Sequence, residues 1–454
     1  MNNADIKNLD VTDTLGYTYG LTSKLGQGGQ GSVWRTDQPQ VLVKQANASN
    51  PEQRQRWTEQ LAWLIRQDLD GLHIAKPLAL LKTPHVGYVM ELMDGLMPLT
   101  GLLEQVVDQG VEGFLHTGGL ERRLSLLKKL ATTLALLHAR GMMFGDLSPD
   151  NIYVSSSAEH AELWLIDCDN ISFEASPCRA LYTPDYGAPE LIAGRAEFST
   201  RTDVWSFAVL AFQLLTGNHP FKGDIVNDGE PDMEEQALAG RLPWIGHPGD
   251  TSNACSRGIP LDLTSTGKLA QLFSRCFEIG LENPLDRPSM AEWLEAIVEA
   301  SERLIACTAC TSTYLLNPDK TCPFCDHVLE SDHVLFSEYQ FIPPEELPDW
   351  HQQGTSDSWV RTGRVALLQP ERELALRRSI PSMWACESLA PLVKVTLAGG
   401  KLCFEPLDAP LTLQRGAQRV KVVKPIPLEQ QAGPDYFLHV GKLDEPHMAW
   451  RFKW

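Results

Sequence analysis

The sequence has no export signal, no long apolar run and no surplus of positive charge. Its N-terminus, MNNADIKNLD, is polar, without a basic region followed by an apolar one, which reads as a cytoplasmic chain. The longest apolar stretch, Val204–Leu215, contains Ser206 and Gln213 and is too short to span a bilayer. Lys and Arg number 39 against 58 Asp and Glu, a formal net charge of −19. Sequence-independent nucleic-acid binding and anionic membrane surfaces both need clustered cations, so neither partner is expected. The deficit is uneven: from Asp326 onward 17 acidic and 14 basic residues leave −3, and the first 325 residues carry −16. A disulfide framework is missing too. Four of the ten cysteines form two Cys-x-x-Cys pairs and the other six are scattered, which points to a reducing compartment and a metal site.

What is there is ordinary globular usage. At 454 residues, 43% hydrophobic and 21% charged, the chain has room for two to four domains. Short β-like runs and many glycines fill the first hundred residues, including GYTYGLTSKLGQGGQGSVWRT and VGYVMELM. Between them Trp57, Leu61 and Leu64 repeat at helical spacing. Helical patterns follow: Leu124, Leu127, Leu130, Leu134 and Leu137 form a stripe, and DVWSFAVLAFQLLTG is apolar almost all round, the mark of a buried helix. Residues 222–262 are polar and rich in Gly and Pro, as in a surface insertion. The last 80 residues alternate between apolar and polar, with AGG and QRGAQ as hairpin turns, which predicts a small all-β module.

The first chemical motif is Gly26-x-Gly28-x-x-Gly31-x-Val33. Glycines allow backbone N–H groups to approach phosphates without side-chain clash. A dinucleotide fold wants a helix directly after them. Here a strand follows (Ser32-Val33-Trp34-Arg35), and then a second strand ending in Lys44. Fifteen residues on, Glu59 on the first helix is placed to pair with Lys44, with Glu52 as its rival near the helix start. Further along, Asp146 and Asn151 stand five residues apart in FGDLSPDN, and Asp167 closes the strand-like run before Cys168-Asp169. A carboxylate near an acceptor hydroxyl and hard oxygen ligands for Mg²⁺ are what phosphoryl transfer needs.

In this order these motifs resemble a eukaryotic-type Ser/Thr protein kinase in a divergent, bacterial-like version. Ala188-Pro189-Glu190 resembles the motif that closes the activation segment, Asp203-Val204-Trp205 the start of the central helix, and Arg287 the arginine that pairs with Glu190. The resemblance covers about two-thirds of the chain. It implies an α+β, bilobal protein-kinase fold with ATP in the cleft and protein substrates. Gly26, Gln27, Gly28, Gly29, Gln30, Gly31, Ser32 and Val33 would cover the phosphates, and Lys44 and Glu59 would orient them. Met90 would be the gatekeeper, the backbone of Glu91 and Met93 would meet adenine, and Tyr153 would lie beneath it. Asp146 would serve the acceptor hydroxyl, helped by Thr183, and Asn151 with Asp167 would hold Mg²⁺. Bacterial kinases fused to zinc ribbons occur in operons with phosphatases, including those of tellurite resistance and stress, which implies that partner set.

Several positions depart from the family pattern. Phe144-Gly145 replaces His-Arg before the catalytic Asp (a non-RD kinase), so a phosphorylated activation segment loses its usual partner and activity should not depend on Ser172, Ser176 or Thr183. Ser148 replaces a lysine that contacts the γ-phosphate. Cys168-Asp169 replaces Phe-Gly, and Asp169 adds a carboxylate near the metal. Leu42 and Tyr153 enlarge the adenine-facing positions. These changes keep a pseudokinase, an ATP-binding scaffold, as the alternative. Gly145-Asp146 also resembles small-molecule kinases, although the Glu190 motif and Arg287 argue against that reading.

Cys307, Cys310, Cys322 and Cys325 supply four thiolates for a closed, structural Zn²⁺ site; a redox dithiol would explain one pair but not two. The organisation expected is an N-terminal tail (1–14), kinase N-lobe (15–93), C-lobe (94–304), zinc ribbon (305–328), linker or extended segment (329–375) and small β domain (376–454).

Overall fold

The computed structural model describes residues 10–27, 31–174, 182–317, 319–329, 333–343, 359–377 and 390–454. The chain divides into two compact units. The first comprises Met1–Thr117, Lys129–Gly258 and Ser274–Arg287; the second comprises Gly118–Lys128, Ile259–Phe273 and Pro288–Trp454.

The first unit opens with a six-stranded antiparallel sheet. Its strands are β1 (Asp10–Thr12), β2 (Thr18–Gln27), β3 (Gly31–Thr36), β4 (Val41–Ala46), β5 (Ala79–Leu80) and β6 (Gly87–Glu91), in the order β1-β2-β3-β4-β6-β5. Alternation puts Tyr19, Leu21, Val43 and Val89 into one core, and Val11 joins them at 1% exposure. The segment 1–14 was expected to be a tail, yet Asp10–Thr12 pairs with β2. A lone valine among polar residues has no periodicity to reveal such a strand. Helix α1 (Pro51–Leu64) begins where Asn50 accepts a hydrogen bond from the Gln53 N–H at 2.8 Å, with Pro51 in the first turn.

The leucine stripe is fully buried along the helix Gly119–Ala139. The helix Thr200–Thr216 starts in a capping box between Ser199 and Thr202 and ends at Gly217 in the left-handed region. Its apolar circumference is buried almost throughout, as a sequence without a polar face requires. The polar stretch after Lys222 is exposed along much of its length but anchored by Asn253. That side chain is wholly buried and bonds the Gly223 N–H and the Phe221 and Pro243 carbonyls.

In the second unit, helix Met290–Ser301 is capped by a reciprocal Ser289–Glu292 box. Strands Leu304–Ala306 and Thr313–Leu315 pair directly after it. The chain then builds two packed antiparallel sheets. One runs in the order Trp359–Leu368, Val334–Phe341, His447–Phe452, Tyr436–Val440, Leu411–Arg415, Gln418–Val422. The other runs Glu373–Arg377, Pro391–Ala398, Lys401–Pro406, Ile426–Glu429. Their inner faces share a core of Phe336, Phe404, Trp450 and Phe452 with aliphatic neighbours. Gly399 and Gly400, both at positive φ, turn the hairpin that AGG predicts. The all-β region begins at Val334, not at 376: of the two alternatives for 329–375, a linker or an extended segment, the described part takes the extended one, as strands Val334–Phe341 and Trp359–Leu368 and the start of Glu373–Arg377. Arg364 joins this region to the end of helix Met290–Ser301. Its guanidinium donates to both oxygens of Glu302 at 2.8 and 2.6 Å and stacks over Trp450.

Candidate active site

Gly26, Gly31, Val33 and Lys44, expected to meet the phosphates of a nucleotide, lie on β2, β3 and β4. Gln27 pairs with Ser32 across the hairpin, and Gly28, Gly29 and Gln30 lie outside the described residues. The remaining two glycines differ. A Cβ on Gly31 would fall 2.4 Å from the Gln45 carbonyl oxygen, so close backbone packing demands glycine there. A Cβ on Gly26 would meet nothing within 4 Å, so that position borders open space. Val33 stands opposite Lys44 in the next strand.

Lys44 is only 5% exposed and forms ion pairs with Asp167 and Asp169. Burial alone would lower its ammonium, but the two carboxylates override that and hold it above its usual value. Asp167 takes a left-handed backbone (φ 59, ψ 55) and opens a short 3₁₀ turn over Cys168–Asn170. Asp169 is buried. Its carboxyl is pushed up to about 6, first by burial and also by the charge of Asp167, with Lys44 acting in the opposite sense. The buried Tyr88 hydroxyl of β6 faces this carboxyl, and burial together with the neighbouring Asp169 and Asp167 charges holds that phenol well above its usual value. The Cys168 thiol donates to the Ala75 carbonyl at 3.3 Å and fastens the turn from below.

The expected Lys44–Glu59 pair is not formed. Glu59 is exposed and accepts from Gln55 at 2.9 Å, while the rival Glu52 is exposed and pairs with Arg56. The residue of α1 that reaches the cleft is Gln60, which donates to the Ile171 carbonyl at 2.7 Å and the Asp169 carbonyl at 3.2 Å. The reason is helix phase. Each residue turns the side chain by about 100°, so Gln60 shares the inward face of Trp57, Leu61 and Leu64, and Glu59 does not. The apolar spacing of Trp57, Leu61 and Leu64 carries that signal, and a count of residues from Lys44 does not.

The acceptor side is a closed hydrogen-bond knot. Asp146 Oδ1 accepts from the Thr183 N–H at 3.0 Å and the Thr183 hydroxyl at 3.1 Å. Asn151 Nδ2 donates to the Asp146 carbonyl at 2.9 Å and to its Oδ2 at 3.1 Å. Burial pushes the Asp146 carboxyl up, opposed by these bonds to its charged form. Beneath it, buried Asp203 accepts from the Phe144 N–H at 2.6 Å through Oδ2 and from the Gly145 N–H at 2.9 Å through Oδ1, and His138 Nε2 also meets Oδ2 at 3.0 Å. Gly145 sits at φ 91, a conformation that suits glycine. From the sequence alone Asp203 reads only as a helix start. Ser148 is 1% exposed.

With Asn151 Nδ2 committed to Asp146, its Oδ1 remains as acceptor. Together with the partly exposed Asp167 carboxylate it offers hard oxygen donors, the set that Mg²⁺ takes. At the positions expected to face adenine, Leu42 is buried and pairs in register with half-buried Met90. Met93 and Tyr153 are half-buried and Glu91, at the end of β6, is exposed. In the activation segment, Ser172 is 5% exposed in a strand (Ser172–Phe173) paired with Met142–Met143, and Ser176 lies outside the described residues. The segment closes on Glu190, whose two oxygens accept from the wholly buried Arg287 at 2.8 Å each. Arg287 also stacks over Trp205 and bonds the Gly280 carbonyl.

In the second unit the four thiols of Cys307, Cys310, Cys322 and Cys325 lie within 4.8 Å of one another, with Sγ–Sγ separations of 3.6 and 3.7 Å across the two pairs. The two loops repeat one geometry. The Cys307 N–H bonds the Ser312 carbonyl and the Thr311 N–H bonds the Cys307 carbonyl. The Cys322 N–H and the Asp326 N–H make the same two bonds around Cys322, with Thr311 and Asp326 both at positive φ. Four thiols this close cannot ionise together without a cation between them, and soft sulfur donors in a closed set suit Zn²⁺.

The model of the protein kinase domain matches residues 19–296, more than half of the chain. Among curated relatives, serine/threonine-protein kinase pkn2 of Myxococcus xanthus is 34% identical over 167 residues, covering 35% of this chain and 18% of that protein. The calcium-dependent protein kinase SK5 of Glycine max is 27% identical over 248 residues, covering 52% and 46%. The bovine inhibitor of nuclear factor kappa-B kinase subunit beta is 27% identical over 230 residues, covering 46% and 28%. The chain thus spans between about a fifth and about half the length of these relatives.

Proposed function

The chain belongs to the protein kinase domain family, and from that premise we propose that it is an ATP- and Mg²⁺-dependent protein kinase of the non-RD type, acting on Ser or Thr. The observation that carries the reading is the knot around Asp146. Its carboxylate is held by Thr183 and Asn151 in a half-buried position, ready to accept or orient the proton of a substrate hydroxyl. Lys44 binds and orients phosphate oxygens, and Asn151 and Asp167 hold the metal. Mg²⁺ when bound supplies charge neutralisation at the phosphates. The covering role falls to Gly26 through Val33, and adenine recognition to Met90, Glu91, Met93 and Tyr153.

Independence from activation-segment phosphorylation is supported by Ser172. It is buried in a strand, so a kinase could not reach it without opening that pairing. The arginine that would meet a phosphate is replaced by Gly145, whose backbone is spent on Asp203. A phosphomimetic at Ser172 is expected to give no gain.

In this reading Zn²⁺ on the four cysteines is structural and fixes two loops around Ile305, Tyr314 and Leu329. Proteins of the same operon, a phosphatase among them, and a role in stress are the partners and setting proposed. Among the described residues no helix is long and apolar enough to cross a membrane, and a cytoplasmic location is proposed with the rest.

The test is incubation with Mg²⁺ and labelled ATP, beside Asp146→Asn and Asp167→Ala. Label on the chain or on a protein substrate that both variants abolish is the expected result. Buried Ser148 and Leu42 favour a second reading, an ATP-binding scaffold. Nucleotide-induced thermal stabilisation without any label would establish that one, and ATP consumption driven only by metabolites would point to a small-molecule kinase.

A further inference from the structure

We propose that Asp169, in the turn after the metal aspartate, is the positioning residue for Lys44, in place of an acid on helix α1. The inference rests on the kinase reading above and deepens it.

A buried ammonium must touch a carboxylate, because an unpaired buried charge costs several kcal/mol. Lys44 is buried in β4 and touches two, Asp167 and Asp169. They are not equivalent. The Asp167 side chain is 29% exposed at the cleft, whereas that of Asp169 is 1% exposed. A carboxylate that serves a metal cannot also be the sole counter-charge of Lys44. Asp169 is the partner that stays.

Helix α1 does not compete for this role. Glu52 and Glu59 are exposed and engaged on the helix surface by Arg56 and Gln55. Its contribution is Gln60, a neutral donor to the backbone carbonyls of Asp169 and Ile171. With the Cys168 thiol on the Ala75 carbonyl, this clamps the turn from both sides and fixes where the Asp169 carboxylate sits. The helix therefore acts on Lys44 through the backbone of the turn, not through an ion pair.

Without Asp169, Lys44 would fall entirely on Asp167, and a metal would have to displace it. The consequence is specific: the gain in nucleotide affinity that Mg²⁺ brings should shrink. Loss of a negative charge near the phosphates would by itself tighten binding, so the two effects have opposite signs. The experiment is calorimetric titration of ADP into the full chain, with Mg²⁺ and with EDTA, for the parent, Asp169→Asn, Asp169→Gly and Glu59→Gln. The ratio of the two affinities is expected to fall about tenfold in both Asp169 variants, the size of one hydrogen bond to a charged group, and to stay within about twofold in Glu59→Gln. An unchanged or larger ratio in the Asp169 variants, or an equal fall in Glu59→Gln, overturns the proposal. So does failure of both Asp169 variants to fold, which would make the residue structural. A parent that binds no ADP under either condition would fell the kinase reading itself; a parent that binds normally beside unaffected variants would fell only the role of Asp169.

Discussion

The two candidate metal sites of this chain are built on opposite principles. In the first unit, Asn151 and Asp167 offer oxygen donors from two separate loops at the edge of a cleft, and Asp167 is shared with Lys44. In the second, four sulfurs from two matching turns face one another inside a small core of Ile305, Tyr314, Leu329 and Leu367. At the oxygen site Lys44 already supplies an opposing charge. The sulfur site is built of four thiols. Hard, open and pre-balanced suits an ion that comes and goes with a substrate; soft, closed and unbalanced suits one that is part of the fold.

The largest effect should come from the sulfur site. Cys307→Ser with Cys322→Ser should take bound zinc from about one per chain to none. The segment 305–329 should then become open to proteases, since a structural zinc supplies on the order of 10 kcal/mol of binding energy. Metal analysis and limited proteolysis read both, and intact zinc content in the double variant would break the comparison. Next, Asp167→Ala should lower phosphate transfer on the order of a thousandfold, several kcal/mol of charge stabilisation, with zinc content unchanged. A fall in both would mean that the two sites are not independent.

Arg287→Ala asks whether the first unit relies on buried charge where the second relies on metal. It leaves Glu190 unpaired and should cost about 3–5 kcal/mol of stability by denaturant unfolding. The most gradual effect is acid sensitivity, which should be common to both units. Burial holds His219 in the first unit and His439 in the second down at about 4, against about 6.5 in an unfolded chain. The unfolded state therefore takes up protons before the folded one does. Stability should be full above pH 6.5 and drain away as pH falls from there toward 4. Unfolding midpoints across that range should fall, and His219→Gln should flatten part of the slope. A flat profile in the parent would refute it.

Much of the candidate site was legible because it rests on short chain separations. Asp146 and Asn151 bond across five residues, and the two cysteine turns each close within six. What was not legible depends on which way an element faces. Glu59 and Gln60 are neighbours, and only the packing of Leu61 and Leu64 turns Gln60 inward. Ser172 reads as a modifiable serine, and only its pairing with Met143 buries it. Strand Val334–Phe341 lies in a polar, Pro-containing stretch. It is recognisable as a strand because Trp359–Leu368 and His447–Phe452 flank it, the latter about a hundred residues away.

The order of the kinase motifs, the paired cysteines, the buried central helix and the alternating C-terminal strands are all written locally in the chain. Local spacing and composition decide those. Only the tertiary structure decided that Lys44 is held by a turn rather than by a helix, that Asp203 anchors the backbone at Phe144 and Gly145, and that the β region begins at Val334. Each depends on groups far apart in the chain meeting at a few ångströms, where burial makes their charges and hydrogen bonds count, and no single stretch of sequence carries that distance.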